Sequence, residues 1–256
     1  MTERRLSFVV IARNEEALIG EALEAILASV AKASGVSRPR LWLPDTAFEV
    51  IVVDESEDST AAIVGTFANN FGVQLATSVG RTCAAARNVG AGATSGRVIC
   101  FVDADTIVPE TAVKRILDLH EGERRCLVLY RLASREPGIR AWLWWTFWGL
   151  ARRLPLARAK AMPAFMSCDR AHFESYGPFK ESWAIAEEWP LTGAAYRYHR
   201  ERFLYDRSLT ARTSSRRMEL QPFGYVRTFL KWVSVVLFPW ARTSLTDRIR
   251  HETVNR

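Results

Sequence analysis

The segment Leu6–Ala12 reads LSFVVIA, a short apolar run rich in β-branched residues. This is the pattern of a strand buried on both faces of a parallel sheet. From Glu15 to Ala31 the apolar positions Leu18, Ile19, Ala22, Leu23, Ile26, Leu27 and Val30 recur every three or four residues. That spacing predicts an amphipathic helix. The alternation continues down the first half of the chain. Strands are predicted at 48–53, 73–78 and 97–102, the last ending at Asp103. Helices are predicted at 60–71, 83–93 and 109–120. Strand and helix in strict alternation imply a parallel sheet with right-handed crossovers.

In open sheets of this kind ligands bind beyond the carboxyl ends of the strands, and the polar residues gather there. Arg13, Asn14, Glu15 and Glu16 follow the first strand. Asp54, Glu55, Ser56, Glu57 and Asp58 follow the second, and Asp103 and Asp105 close the fourth. Acids converging on one edge repel each other unless a cation or many donors compensate, which points to a divalent metal. Asp103 and Asp105 are two apart in an extended segment, so their carboxylates face the same way. Such a pair can hold Mg²⁺ or Mn²⁺ with a pyrophosphate completing the shell.

Four segments occur in a telling order: IARNEE (11–16), EVIVVDESEDST (49–60), AAARNVGAGATSGRV (84–98) and ICFVDAD (99–105). Together they closely resemble the inverting family 2 glycosyltransferases of GT-A fold. FMSCDRAHFESYGPF (165–179), AEEWPL (186–191) and TSSRR (213–217) extend the likeness to about residues 6–217. The resemblance implies an α/β fold with a Rossmann-like, mostly parallel sheet flanked by helices. It implies a nucleotide-sugar donor, UDP favoured, and a glycan or lipid-linked acceptor in cell-envelope glycan or glycolipid synthesis. Ala12, Asn14, Glu16, Asp54, Arg87, Asp103, Arg216 and Arg217 would line the donor nucleotide. Asp105, with Asp103, would ligate Mn²⁺ or Mg²⁺. Glu188 takes the position of the general base, with Glu187 as the alternative.

The chain departs from the family pattern in three places. Ile11 stands where Pro is common, the acidic stretch after Val53 is one residue short, and Glu187-Glu188 replaces Glu-Asp. The organisation expected is a nucleotide-sugar half (1–130), an acceptor half of the same domain (131–218) and a basic, helical, amphipathic segment (219–256). A nucleotidyltransferase would need a Gly- or Lys-rich loop after the first strand, where Arg13-Asn14-Glu15-Glu16 stands. A catalytically silent sugar-nucleotide-binding or membrane-scaffold protein is the rival from another class.

Composition and charge refine the picture. Hydrophobic residues make up 48% and charged residues 25% of the chain, ordinary for a globular protein. The four cysteines show no paired spacing, which excludes a disulfide scaffold and a zinc ribbon and fits a reducing cytoplasm. No apolar stretch reaches ~18 residues, so no ordinary spanning helix is expected, and no secretory signal is read at the start. From Arg197 onward there are 13 Lys+Arg against 5 Asp+Glu, so the basic excess lies in the last quarter. With no recognised nucleic-acid module, a nucleic-acid partner is not expected. Segments 139–153 and 223–241 combine Trp142, Trp144, Trp145, Phe147, Trp148, Trp232 and Trp240 with Arg140, Arg227 and Lys231. They read either as a peripheral contact with the inner face of a membrane or as a homodimer interface.

Overall fold

The computed structural model describes residues 4–41, 43, 46–78, 82–160, 162–183 and 186–216, together with positions 226, 229, 230, 233, 234, 237 and 238. Arg217 and most of 219–256, including Arg227, Lys231, Trp232 and Trp240, lie outside the described residues. The alternating half forms β1 (Leu6–Ala12), α1 (Ile19–Ser34), β2 (Phe48–Asp54), α2 (Thr60–Phe71), β3 (Gln74–Thr77), α3 (Cys83–Gly92) and β4 (Val98–Asp103). There follow β5 (Thr106–Ile107), α4 (Ala112–Leu117), β6 (Leu127–Ser134), α5 (Ile139–Ala151), β7 (Phe165–Asp169), α6 (Arg170–Tyr176), α7 (Trp189–Tyr198) and β8 (Phe203–Thr213).

Among the described residues these strands make one eight-stranded sheet in the order β3-β2-β1-β4-β7-β6-β8-β5. The first four run parallel. Beyond β4 the sheet is mixed: β7 is antiparallel to both β4 and β6, β8 is parallel to β6, and β5 is antiparallel to β8. The strictly parallel sheet read from the alternating half therefore stops where the acceptor half begins.

Because neighbouring side chains on a strand point to opposite faces, β1 feeds two cores. Phe8 and Val10 pack with Leu23 and Ile26 of α1 on one face, whereas Val9 packs with Ala84 and Ala91 of α3 on the other. The small-residue face of α3 allows that close approach. A Cβ added to Gly90 would collide with the side chain of Val9.

Two helix boundaries differ from the periodicity. α1 begins at Ile19 rather than Glu15 because the backbone of 15–18 forms a turn on the Glu15 carbonyl. The helix predicted at 109–120 ends at Leu117 and widens into a π-turn over Asp118–Gly122. That turn carries the buried His120, whose two nitrogens reach Asp169 (2.9 Å) and Ser167 (2.8 Å).

Candidate active site

The strand ends of the parallel half meet in one crevice, held by polar contacts within the protein. Asn14 adopts φ 55°, a left-handed conformation that Asn tolerates better than most residues. Its amide donates to Ser56 Oγ (2.7 Å) and its Oδ1 accepts from the Glu57 amide (2.9 Å). The Glu16 carboxylate accepts from the Ser59 amide (3.1 Å), and Thr60 Oγ1 accepts from the Glu15 amide (2.9 Å). Asp54 is buried and accepts from Ser56 Oγ (2.5 Å), while the Ala12 carbonyl accepts from the Glu55 amide (3.1 Å). Ala12, Asn14, Glu16 and Asp54 thus come together: the first three tie β1 and the turn after it to the loop after β2, and Asp54 holds that loop from the end of β2 itself.

Asp103 and Asp105 stand at the next strand end. Short β5 pairs Thr106 with Thr213 of β8, which draws the segment after β8 onto the acidic pair. Thr213 Oγ1 donates to Asp105 Oδ1 (3.0 Å). Glu136 then anchors the following turn through Ser214 Oγ (2.8 Å) and the Ser215 amide (2.6 Å). Arg216, 201 residues away in sequence, forms an ion pair with the buried Glu15. Arg216 is thereby brought beside the loop after β1.

Arg87 bridges the end of β4 and the loop before α7. It is buried on α3, with Nη2 donating to Asp103 Oδ1 (2.8 Å) and Nη1 to Glu187 Oε1 (2.9 Å). Its guanidinium also lies 5.7 Å from the centre of the Phe179 ring. One cation therefore ties the strand end carrying the Asp pair to the loop before α7.

Glu188, the next residue, sits at the N-cap of α7 and is fully buried. Neither carboxylate oxygen has a hydrogen-bond partner among the described residues. Burial, reinforced by the charge of Glu187, pushes its carboxyl from the ordinary 4.5 up to about 8, and Arg87 and Arg152 offset this only in part. Glu187 is also pushed up by burial, against the opposing charge of Arg87. A buried carboxyl without donors is costly in either protonation state.

Sequence reasoning missed Glu136 and Arg152. Glu136 holds the turn at Ser214 and Ser215, while Thr213 and Glu15, which lie in segments the sequence singles out, bond Asp105 and Arg216; Arg152 acts electrostatically on Glu188. Arg152 is itself buried and pulled down to about 10, chiefly by that burial, while a Tyr205 hydrogen bond opposes the shift. Its position, closing the uncharged run 141–151, was the one available signal.

Among the described residues no group of three or more His, Cys, Asp or Glu is placed to hold a metal. The hard oxygen donors of Asp103 and Asp105 fit Mg²⁺ or Mn²⁺ as a two-carboxylate site that substrate oxygens and water complete. Cys100, Cys126 and Cys168 are buried and their thiols pushed up by desolvation, so none has the character of a nucleophile.

The comparison with curated protein sequences finds no match. Several solved structures share the fold. Residues 1–349 of TarS from S. aureus align over 82% of this chain and 60% of that chain at 18% identity, with a TM-score of 0.58. Glucosyl-3-phosphoglycerate synthase from Mycobacterium tuberculosis, in complex with Mn²⁺, UDP and phosphoglyceric acid, aligns over 91% of this chain and 78% of that one. Its identity is 18% and its TM-score 0.59. The mannosyltransferase PcManGT from Pyrobaculum calidifontis, with GDP-Man and Mn²⁺, aligns over 82% and 56% at 21% identity, with a TM-score of 0.56. The chain spans between 43% and 60% of the TarS chains it matches. The model of glycosyl transferase family 2 matches residues 7–175; the chain belongs to that family.

Proposed function

We propose that the protein is a metal-dependent, inverting glycosyltransferase that moves a sugar from a nucleotide-sugar donor to an acceptor hydroxyl. One observation carries the reading: a buried, donorless Glu188 stands beside the Arg87 bridge that joins Asp103 to Glu187. In the reaction the acceptor oxygen forms its bond to the anomeric carbon as the bond from that carbon to the diphosphate breaks. The acceptor proton passes to a Glu188 oxygen, and the nucleoside diphosphate leaves. A hydroxyl is a poor nucleophile at neutral pH and needs such a base. Direct displacement by one nucleophile inverts the configuration.

Asp103 and Asp105 would hold the divalent ion, which when bound neutralises charge on the departing diphosphate. Arg216 would add a guanidinium to the same oxygens after leaving Glu15, since its fork matches phosphate geometry. Asp54, with Ala12, Asn14 and Glu16, would take the nucleoside. The glucosyl-3-phosphoglycerate synthase and PcManGT structures were obtained with UDP or GDP-Man together with Mn²⁺, which favours a uridine or guanosine diphosphate donor here.

The acceptor side favours an amphiphilic acceptor at a membrane surface. α5 exposes Ile139 (68%), Trp142 (59%) and Leu143 (54%), with Arg140 and Arg153 flanking. Phe229 packs on Phe147 of the same helix at 5.0 Å between ring centres. No helix of the described residues is long and apolar enough to cross a membrane, so contact at this face would be interfacial.

A melting panel of UDP, GDP, CDP and dTDP, each with Mn²⁺, Mg²⁺ or EDTA, tests the donor reading. A ligand at 100 times its Kd adds about 2.7 kcal/mol, roughly 5–10 °C for a chain of this size. One nucleotide should stabilise strongly, and only with metal. Absence of any metal-dependent shift would remove the donor reading.

A further inference from the structure

The edge of the sheet opposite the donor crevice carries a second polar cavity. The row Leu6, Val98, Asp169 runs across β1, β4 and β7, and the row Leu127, Phe203 continues it across β6 and β8. β1, β4, β6 and β8 all begin at this edge. Each is preceded by arginine: Arg5 before β1, Arg97 before β4, Arg124 in the turn before β6, and Arg202 before β8. These four side chains, with His120, Glu121 and Asp169, line a cavity of about 750 Å³.

The cations outnumber the acids. Arg5 is engaged by Glu121, and Arg202 donates to Asp169 (3.1 Å). Arg97 shares Glu121 with Arg5 through its charge, and Arg124 lines the cavity with no acidic partner among the described residues, so four arginines face two carboxylates. The lining therefore has two guanidinium charges left over, the charge of one phosphate dianion. Four contacts hold the Arg124 backbone and the Asp169 side of the cavity. The Arg124 carbonyl accepts from Arg202 Nε (2.9 Å), with Arg124 itself at φ 53°. Asp169 is held from behind by His120, and Ser167 fixes the far side of that ring while bonding Tyr130 (2.6 Å). Arg97 and Arg124 are exposed, and their forked donors match the oxygens of a tetrahedral oxyanion.

We propose that this cavity is an anion site for a phosphate-bearing ligand, distinct from the donor crevice and independent of the transfer reaction. The phosphate is carried either by a small metabolite or by a lipid headgroup.

The test uses the full chain in EDTA, with phosphate or pyrophosphate titrated against chloride at constant ionic strength. Melting temperature and calorimetric Kd are the readouts. Wild type and Asp105→Asn/Arg216→Ala should bind alike. Arg97→Glu/Arg124→Glu should lose on the order of tenfold or more in affinity, since each guanidinium contributes charge-assisted bonds. Arg97→Gln/Arg124→Gln, which adds no repulsion, should weaken binding in the same direction and controls for folding through its melting temperature without ligand. In a parallel arm, phosphatidylcholine vesicles with or without phosphatidic acid are sedimented with the same variants. Phosphate binding lost in the Arg97/Arg124 variants supports the site with a soluble ligand. Lost sedimentation on phosphatidic acid, without binding of free phosphate, supports it with a headgroup. Phosphate binding that survives in those variants and vanishes in Asp105→Asn/Arg216→Ala overturns the proposal. So does a response to phosphate no different from chloride, with sedimentation unchanged in every variant.

Discussion

The donor and acceptor sides of the crevice satisfy their polar groups in opposite ways. On the donor side Asp54, Asp103, Asp105, Glu15 and Glu16 each already hold a donor from the protein, with Arg87 and Arg216 among them. On the acceptor side Glu188 is buried beside Glu187 and holds none. The donor side is a set of internal ion pairs and hydrogen bonds that a diphosphate and its metal can exchange for their own. The acceptor side stores an unsatisfied carboxyl. Under the proposed function, binding and proton transfer would fall in regions with different electrostatics, joined by the one guanidinium of Arg87.

The largest effect expected from breaking this division is on turnover. Glu188→Gln should lower kcat by roughly 10²–10⁴-fold, the range for loss of a general base. Donor Kd should stay within about twofold by calorimetry, because the donor side is untouched. Next comes the joint. Arg87→Ala leaves Asp103 and Glu187 without their buried cation, and urea unfolding should report a loss of roughly 3–5 kcal/mol. A smaller effect sharpens the acceptor side. Glu187→Gln removes the negative charge that helps hold Glu188 protonated, so the pH–rate profile should move to lower pH.

Stability should follow pH through the same group. The Glu188 carboxyl is raised from 4.5 to about 8 on folding, so the folded state retains a proton that the unfolded chain has lost. Its contribution is present below about pH 4.5 and declines as pH rises through about 8. Glu188→Gln should remove that part of the slope, and melting curves from pH 5 to 9 would read it. The smallest effect expected is at the periphery. Ile139→Ser/Trp142→Ser should reduce sedimentation with anionic vesicles and leave the donor melting shift intact. Unchanged sedimentation, with a change in oligomeric state, would make α5 a subunit interface instead.

The same division explains what was legible in the sequence. In the first half β1–β2 and β2–β3 pair across one helix, whereas β4 returns to β1 over 92 residues, from Leu6 to Val98; β1, β2 and β4 are nonetheless legible because each is a nearly continuous apolar run. Apolar spacing extends α1 back over 15–18, because spacing cannot show that Glu15 and Glu16 serve the loop at 58–60. In the acceptor half β6 pairs with β8 across some 76 residues, from Leu127 to Phe203. Its strands, such as FLYDRSLTART, mix charge with apolar residues and carry no clear period. The acids themselves were visible, Asp103 and Asp105 at a strand end and Glu187 and Glu188 before a helix. Their partners were not. The Thr213–Asp105 and Arg216–Glu15 contacts span 108 and 201 residues, and only the folded chain brings them together.

The pH dependence of kcat/KM for sugar transfer, measured from pH 6 to 9 on wild type, tests the central claim most directly. A buried Glu188 that must ionise to take the acceptor proton predicts a rate rising about tenfold per pH unit at low pH and levelling near pH 8. The rise should be absent from the residual activity of Glu188→Gln. A profile flat across that range in wild type, or a rise that persists in Glu188→Gln, would contradict the assignment of Glu188 as the base.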